Sequence, residues 1–177
     1  MIARWGNSTH LFAWQLWSEL DLTGSKRRGE GWHRQPEVTE WHKLMGYAVK
    51  DMDPYDHLVS SHVCGDYNHQ SEALISLAEM DLCPVDAYHE NPDTLHILRL
   101  MKATADHNNP FKKPVLITEF GGSPHAASLE YLDASLHAAL WGSTCIPVSG
   151  TPLFWWWQIV EEENFYPKYK ALANFMK

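Results

Sequence analysis

The sequence predicts an α/β protein in which parallel strands alternate with helices. Short apolar runs bounded by turn residues recur along the chain, which is typical of strands buried on both faces of a parallel sheet. Between these runs, apolar residues return every three or four positions, as they do on one face of a helix. Regular alternation of the two patterns predicts parallel strands joined by right-handed helical crossovers.

About five strand–helix units follow one another. Residues 1–10 are predicted to be the end of a helix that stops at Gly6. The predicted strands are 11–22 (a strand passing into a loop), 57–64, 82–88, 114–119 and 152–157. The predicted helices are 38–52, 71–80, 92–107, 128–141 and a closing helix with Tyr169, Leu172, Ala173 and Met176 on one stripe. Because no linker interrupts the pattern, residues 1–177 are predicted to form a single domain.

The composition is that of a globular protein and excludes some functions. Of the 177 residues, 45% are hydrophobic and 20% are charged. The net charge of -8 argues against nucleic-acid binding, and the basic cluster at residues 26–28 is interpreted as a solvated loop. No apolar run is long enough for a membrane helix, and we see no apolar core of a signal peptide at the N-terminus.

The three cysteines are Cys64, Cys83 and Cys145. Their odd number and wide spacing predict reduced thiols and not a disulfide framework. We therefore expect a cytoplasmic location.

Two carboxylates, Glu19 and Glu119, occupy equivalent positions at the carboxyl ends of the first and fourth predicted strands. Ligands bind at this edge of parallel α/β sheets. Strands three apart around a barrel face each other across its mouth, and retaining glycosidases need two carboxylates about 5–5.5 Å apart. On spacing alone, the alternative that both are solvated loop carboxylates is equally good.

Three segments resemble a known family. Residues 11–21 (Leu-Phe-Ala-Trp-Gln-Leu-Trp-Ser-Glu-Leu-Asp) resemble the fourth strand of the (β/α)8-barrel glycoside hydrolase clan that includes the family 5 cellulases and mannanases. Residues 115–121 (Val-Leu-Ile-Thr-Glu-Phe-Gly) resemble its seventh strand, and the tail from Phe154 resembles its eighth strand and helix. The resemblance implies a partial TIM (β/α)8 barrel of about five parallel units, strands four to eight, since a complete barrel takes about 200–250 residues or more.

The resemblance also implies roles for individual residues. Glu19 would be the general acid/base and Glu119 the nucleophile of a retaining hydrolase of β-linked glucan or mannan. Tyr88 would hydrogen-bond the nucleophile, and His62 would line the cleft.

The resemblance further implies that one tryptophan in the run 155–157 lies under the sugar at the cleaved bond. Strand alternation puts Trp155 and Trp157 on one face and Trp156 on the other, without deciding which face is inside. Trp155 and Trp157 are taken as the candidate substrate-binding residues.

Several features depart from the family pattern. Ser18 stands where the clan has an asparagine that binds the sugar 2-hydroxyl, and Asp86 stands where members tend to have histidine. Strands one to three, which bring an arginine beside the nucleophile, have no counterpart. The alternative is therefore a catalytically weakened remnant that binds carbohydrate or acts only in assembly.

Other ligands are not indicated. His57, His62 and His69 cluster in the sequence, but no recognised ligand pair such as His-Glu-x-x-His occurs, so we predict no metal and no cofactor. The predicted partners are an oligosaccharide or polysaccharide substrate and a second copy of the chain. A partial barrel leaves two apolar edges, with three possible outcomes: a second copy packs against the open side, a separate chain supplies the missing strands, or the piece is an open sheet. Of these we expect a homo-oligomer that buries the open side.

Overall fold

The computed structural model describes residues 1–23, 31–123 and 125–177, and it has the alternating order of strands and helices that the sequence predicts. The basic cluster at residues 26–28 lies outside the described residues. The strands are β1 (Ala13–Gln15), β2 (Leu58–Ser60), β3 (Cys83–Ala87) and β4 (Val115–Phe120). The α-helices are α1 (Ile2–Trp5), α2 (Pro36–Met52), α3 (Glu72–Ile75), α4 (His96–Asn108), α5 (Leu129–Gly142), α6 (Trp157–Glu162) and α7 (Tyr166–Phe175). Single 3-10 turns occur at Leu20–Leu22, Trp32–Arg34, Tyr67–His69 and Asn109–Phe111.

The strands are parallel and lie side by side in chain order. β1 pairs with β2, and β3 pairs with β4. Single bridges extend the array: Val63 pairs with Val85, and Phe120 pairs with Phe154. The parallel α/β prediction is confirmed, but the two sheets are short and do not close into a barrel within the described part of the chain.

The predicted strand at 152–157 is wrong beyond Phe154. Leu153 and Trp155 do hydrogen-bond to the backbone of β4, at 3.1 Å to Ile117 O and 2.9 Å to Phe120 O. The chain then turns into helix α6, which Trp157 begins. The tryptophan run therefore spans a strand-like end and a helix start, and strand alternation does not relate Trp155 to Trp157.

The predicted helix at 71–80 is also shorter than expected. Helix α3 ends at Ile75, and the chain continues in turns through Leu77 and Met80. Ser71 caps the helix by accepting a hydrogen bond from the Leu74 amide at 3.4 Å.

The core lies between the sheets and helices α4 and α5. All five residues of β3 are buried, as expected for a strand covered on both faces. The largest fully buried apolar side chains are Phe120, Leu20, Ile97, Met101, Leu132, Leu136 and Leu140. This core packs against β3 and β4, whose carboxyl ends lie beside each other.

Asp53 ties the end of helix α2 to β1. Its carboxylate accepts hydrogen bonds from Trp14 Nε1 at 2.8 Å, His57 Nδ1 at 2.8 Å and the Tyr55 amide at 3.1 Å. Burial opposes ionisation of Asp53, but these hydrogen bonds outweigh it and lower the pKa to about 2. The ionised carboxylate therefore stabilises the fold. None of the described helices has the length and apolarity needed to cross a membrane.

Candidate active site

Polar side chains from four neighbouring segments meet at the carboxyl ends of the parallel strands. Glu119 lies near the end of β4, and Asp86 lies near the end of β3. Tyr88 follows β3, His62 follows β2 and Glu19 follows β1. The parallel pairing brings these strand ends to one edge of the molecule, which is where the sequence predicts the site.

A bulge aligns the two central carboxylates. Val85 pairs with Ile117, but the next pair along the strands is Asp86 with Glu119, so Thr118 is left without a partner residue. Residues paired across neighbouring strands point to the same face, and the bulge therefore turns both carboxylates towards the site. The Thr118 hydroxyl lies 2.9 Å from Asp86 Oδ1 and 2.9 Å from the Val85 carbonyl.

Tyr88 holds the Glu119 carboxylate. Its phenol donates a hydrogen bond to Glu119 Oε2 at 2.6 Å, a short, charge-assisted contact. Burial, followed by the negative charge of Glu119, raises the pKa of Tyr88 well above its ordinary value, so the phenol stays protonated and remains a donor.

Groups around Glu119 shift the pKa of its carboxyl in opposite directions. Burial raises the pKa of its carboxyl above the ordinary value, and the negative charges of Asp86 and Glu19 add to the rise. The Tyr88 hydrogen bond and the nearby His62 act in the opposite direction without cancelling the increase. Glu119 is therefore a partly buried carboxyl among like charges.

Asp86 and His62 form a buried pair. Asp86 is 0% exposed and His62 is 4% exposed, and His62 Nε2 lies 3.6 Å from Asp86 Oδ1. Gln15 of β1 holds the other ring nitrogen, Nδ1, at 3.1 Å. Burial alone would lower the pKa of His62, but its interaction with Asp86 and the charges of the two glutamates raise it above the ordinary value.

Glu19 sits in a left-handed backbone conformation. Its φ of 49° and ψ of 52° are unusual for a residue with a side chain, and such strain is often found at functional sites. The next residue, Leu20, is fully buried, and its amide donates to the His62 carbonyl at 3.0 Å, which anchors the turn. Ligand atoms of Glu19, Cys64 and Asp86 all lie within 4.8 Å of one another. Burial and these negative charges raise the pKa of Cys64 to about 12, so its thiol stays protonated.

The remaining predicted site residues lie at different distances from this cluster. Trp155 is 41% exposed, and its ring meets the edge of Tyr88 at a centroid distance of 6.3 Å. Trp157 is 72% exposed on helix α6. Ser18 is exposed next to Glu19. Trp156, between the other two tryptophans, donates from Nε1 to the Gly121 carbonyl at 3.0 Å and so supports the turn after β4.

Two members of the cluster were missing from the predicted site. The sequence marks Asp86 only as a departure from the family pattern, and Cys64 only as a reduced thiol. The spacing of Asp86 and Tyr88 at i and i+2 was the available signal, because it puts both on one face of a strand. The three histidines that cluster in the sequence do not form a shared ligand group in the described residues; His62 alone joins the carboxylates.

An aromatic cavity of about 440 Å³ is lined in part by Leu20. Its lining residues are Trp17, Leu20, Trp32, Gln35, Glu37, Val38, Trp41 and His42. The edge of the Trp17 ring meets Trp41 at a centroid distance of 5.7 Å. The cavity is therefore adjacent to the Glu19 turn but separate from Glu119.

Sequence comparison assigns the chain to no family. No protein-family model matches it, and no curated protein matches it significantly.

Structural comparison finds several glycoside hydrolases. An FMN-binding beta-glucuronidase from Facaelibacterium prausnitzii L2-6 superposes with a TM-score of 0.60 at 13% identity, over 81% of this chain and 22% of that one. A glycoside hydrolase family 5 mannosidase from Rhizomucor miehei gives 0.58 at 15% identity, over 85% and 40%. The modular family 26 endo-beta-1,4-mannanase from Cellulomonas fimi gives 0.53 at 16% identity, over 80% and 33%.

These likenesses concern the fold. The chain has the α/β architecture of TIM-barrel glycoside hydrolases across most of its own length, but it spans well under half the length of each of these three proteins. This difference in length is consistent with a partial barrel.

Proposed function

We propose that the protein is a retaining glycoside hydrolase of β-linked glycans, glucan or mannan, with Glu119 as nucleophile and Glu19 as general acid/base. The observation that carries the proposal is the hydrogen bond, 2.6 Å long, from Tyr88 to Glu119 Oε2. Glu19 lies at the same edge of the sheets, near enough for its charge to raise the pKa of Glu119. A nucleophilic carboxylate must be held in one orientation, and this contact does so through Oε2, while no hydrogen bond to the second oxygen occurs within residues 1–23, 31–123 and 125–177.

In the first step, the free oxygen of Glu119 attacks the anomeric carbon of the bound sugar. Glu19 protonates the departing glycosidic oxygen, so the bond breaks without release of an alkoxide. In the second step, Glu19 takes a proton from water, and the water oxygen displaces Glu119 from the anomeric carbon. Trp155 extends the wall beside Tyr88 and supplies an aromatic face to the sugar.

A panel of aryl β-glycosides tests the activity. We expect wild-type protein to release the aryl group from at least one β-glucoside or β-mannoside, and Glu119→Gln to lose that activity. Glutamine keeps the size of the side chain and can still accept the Tyr88 hydrogen bond, so the variant separates loss of the charge from loss of the fold. Activity that survives in Glu119→Gln would contradict the assignment of the nucleophile.

The second candidate is a remnant that binds carbohydrate with little or no hydrolysis. It is favoured by the aromatic cavity lined by Trp17, Trp32 and Trp41, because tryptophan rings stack on sugar rings. It is also favoured by the third carboxylate, Asp86, which disfavours ionisation of Glu119. Binding of a manno- or gluco-oligosaccharide that Trp41→Ala weakens, with no turnover of any aryl glycoside, would support this candidate.

We also propose that a second copy of the chain covers the open side of the array. β1 is paired only with β2 among the described residues, so its other edge carries free backbone groups. Light scattering tests the oligomeric state, and a monodisperse monomer would contradict the proposal.

A further inference from the structure

Two buried polar atoms in the strand-end cluster have no hydrogen-bond partner among the described residues. They are His62 Nε2 and Asp86 Oδ2. Both side chains are more than nine-tenths buried, so bulk water does not compensate either atom, and an unpaired buried polar group is costly. Such atoms need a partner, and their surroundings indicate which kind.

The surroundings indicate a cation. His62, Asp86 and Glu119 each present a ligand atom within 4.8 Å of the other two. Asp86 and Glu119 bring two carboxylates together, and the nearest countercharge available to Asp86 is the His62 ring at 3.6 Å. A divalent ion between the three would neutralise the carboxylates and give the unpaired His62 Nε2 a partner.

The separation of His62 and Asp86 suits a small transition-metal ion. With metal–ligand bonds of about 2.0–2.2 Å, the ligand atoms of a tetrahedral zinc site lie about 3.4 Å apart. The separation of His62 Nε2 and Asp86 Oδ1, 3.6 Å, is close to this value. One imidazole and two carboxylates are ligands that Zn²⁺ accepts, whereas Mg²⁺ and Ca²⁺ prefer sites built from oxygen alone.

Neighbouring residues supply the outer contacts of such a site. Tyr88 holds one oxygen of Glu119, and Thr118 lies 2.9 Å from Asp86 Oδ1. The Gln15 side-chain nitrogen Nε2 lies 3.1 Å from His62 Nδ1. Turning the amide over exchanges its nitrogen and oxygen, so that Gln15 Oε1 accepts the Nδ1 proton and His62 Nε2 is left free to bind metal, as outer partners of metal-bound histidines require.

We propose that His62, Asp86 and Glu119 form a binding site for Zn²⁺ or a similar divalent transition-metal ion, with at least one coordination position open. The site depends on Asp86, because its carboxylate lies close to both the ring of His62 and the carboxylate of Glu119. A consequence, which rests on the proposed function, is that bound metal occupies the nucleophile, so metal and glycoside exclude each other.

Titration of the tag-free full chain with Zn²⁺ alone, by calorimetry or against a chromophoric chelator, tests the site. We expect wild-type protein to bind one Zn²⁺, and Asp86→Asn and Glu119→Gln each to bind more than about 100-fold more weakly, since even outer partners are worth 10–100-fold. Both substitutions keep the shape of the side chain, and circular dichroism of each variant checks its fold. Absence of Zn²⁺ binding by wild type, or wild-type affinity in Asp86→Asn, would overturn the inference.

Asp66→Asn is the matched control. Asp66 also pairs with a histidine, His69, at 3.4 Å, but that histidine is exposed and no third ligand from the described part of the chain joins them. We expect this variant to bind Zn²⁺ as wild type does. Equal losses in Asp66→Asn and Asp86→Asn would show non-specific histidine binding and overturn the inference.

The binding measurement is independent of hydrolysis. If chelator-treated protein cleaves no glycoside but Zn²⁺ binding follows the expected variant pattern, the metal site stands and the proposed function fails. If the chelated protein cleaves glycosides and wild type binds no Zn²⁺, the proposed function stands and the metal site fails.

Discussion

Tyr88→Phe isolates the contact on which the proposed activity depends. The substitution removes only the phenol oxygen, which donates to Glu119 Oε2 at 2.6 Å. A hydrogen bond to a charged group is worth about 1.5–3 kcal/mol, and each 1.4 kcal/mol corresponds to about tenfold in rate. Because the contact orients the nucleophile in the transition state, we expect kcat/KM for an aryl β-glycoside to fall by about 10- to 100-fold.

The assay compares initial rates of aryl release by chelator-treated wild type, Tyr88→Phe and Tyr131→Phe. Tyr131 is the matched control, since its hydroxyl lies 3.3 Å from His89 Nε2, outside the carboxylate cluster. We expect Tyr131→Phe to keep kcat/KM within about twofold of wild type. A folded Tyr88→Phe variant with wild-type kcat/KM would refute the reasoning that Tyr88 orients the nucleophile.

Three further predictions concern stability and substrate contact. The pKa of Asp53 is about 2 in the folded chain, below its ordinary value of 3.8, so the stabilisation from the ionised carboxylate is present above pH 3.8 and is lost as the pH falls towards 2. The free energy of unfolding of wild type should therefore fall over this pH range by an amount that Asp53→Asn does not show. Gly121→Ala should lower the free energy of unfolding by about 2 kcal/mol, because φ is 146° and a Cβ would lie 2.6 Å from Trp156 Cδ1. Gly31→Ala, at φ 76° with no described residue within 4 Å of the added Cβ, should cost about 1 kcal/mol by denaturant unfolding. Equal costs would contradict the clash. Ser18→Asn should raise kcat/KM by up to about tenfold if an amide there contacts the sugar 2-hydroxyl, and an unchanged kcat/KM would argue against that contact.

The fold was predictable where local pattern and packing agree. Helix α2 follows from apolar residues that return every three or four positions and from Pro54 beyond its end, and the structure places it at Pro36–Met52. The strand at 114–119 follows from its apolar run, and β4 spans Val115–Phe120. The predicted strand at 152–157 is too long, because aromatic residues favour strands whatever follows them. In the structure the chain hydrogen-bonds to β4 only as far as Trp155 and then begins α6 at Trp157.

The site was predictable only in part. Glu119, Tyr88 and Glu19 are recognisable because they stand at strand ends, and the structure brings them to one edge of the sheets. The position of Asp86 opposite Glu119 depends on the bulge at Thr118, which strand periodicity does not encode. The i, i+2 spacing of Asp86 and Tyr88 puts both on one face of a strand, but the position of Asp86 opposite Glu119 is known only from the register of β3 on β4.

The central claim, that Glu119 is the nucleophile of a retaining glycosidase, is tested most directly by trapping the covalent intermediate. An activated 2-deoxy-2-fluoro-β-glycoside of glucose or mannose slows breakdown of the glycosyl-enzyme, which can then be weighed by intact-protein mass spectrometry. We expect wild-type protein to gain the mass of one fluoroglycosyl group, with the label mapped to Glu119 and absent from Glu119→Gln. A label on another residue, or turnover of the parent glycoside without a covalent adduct from either sugar, would contradict the assignment.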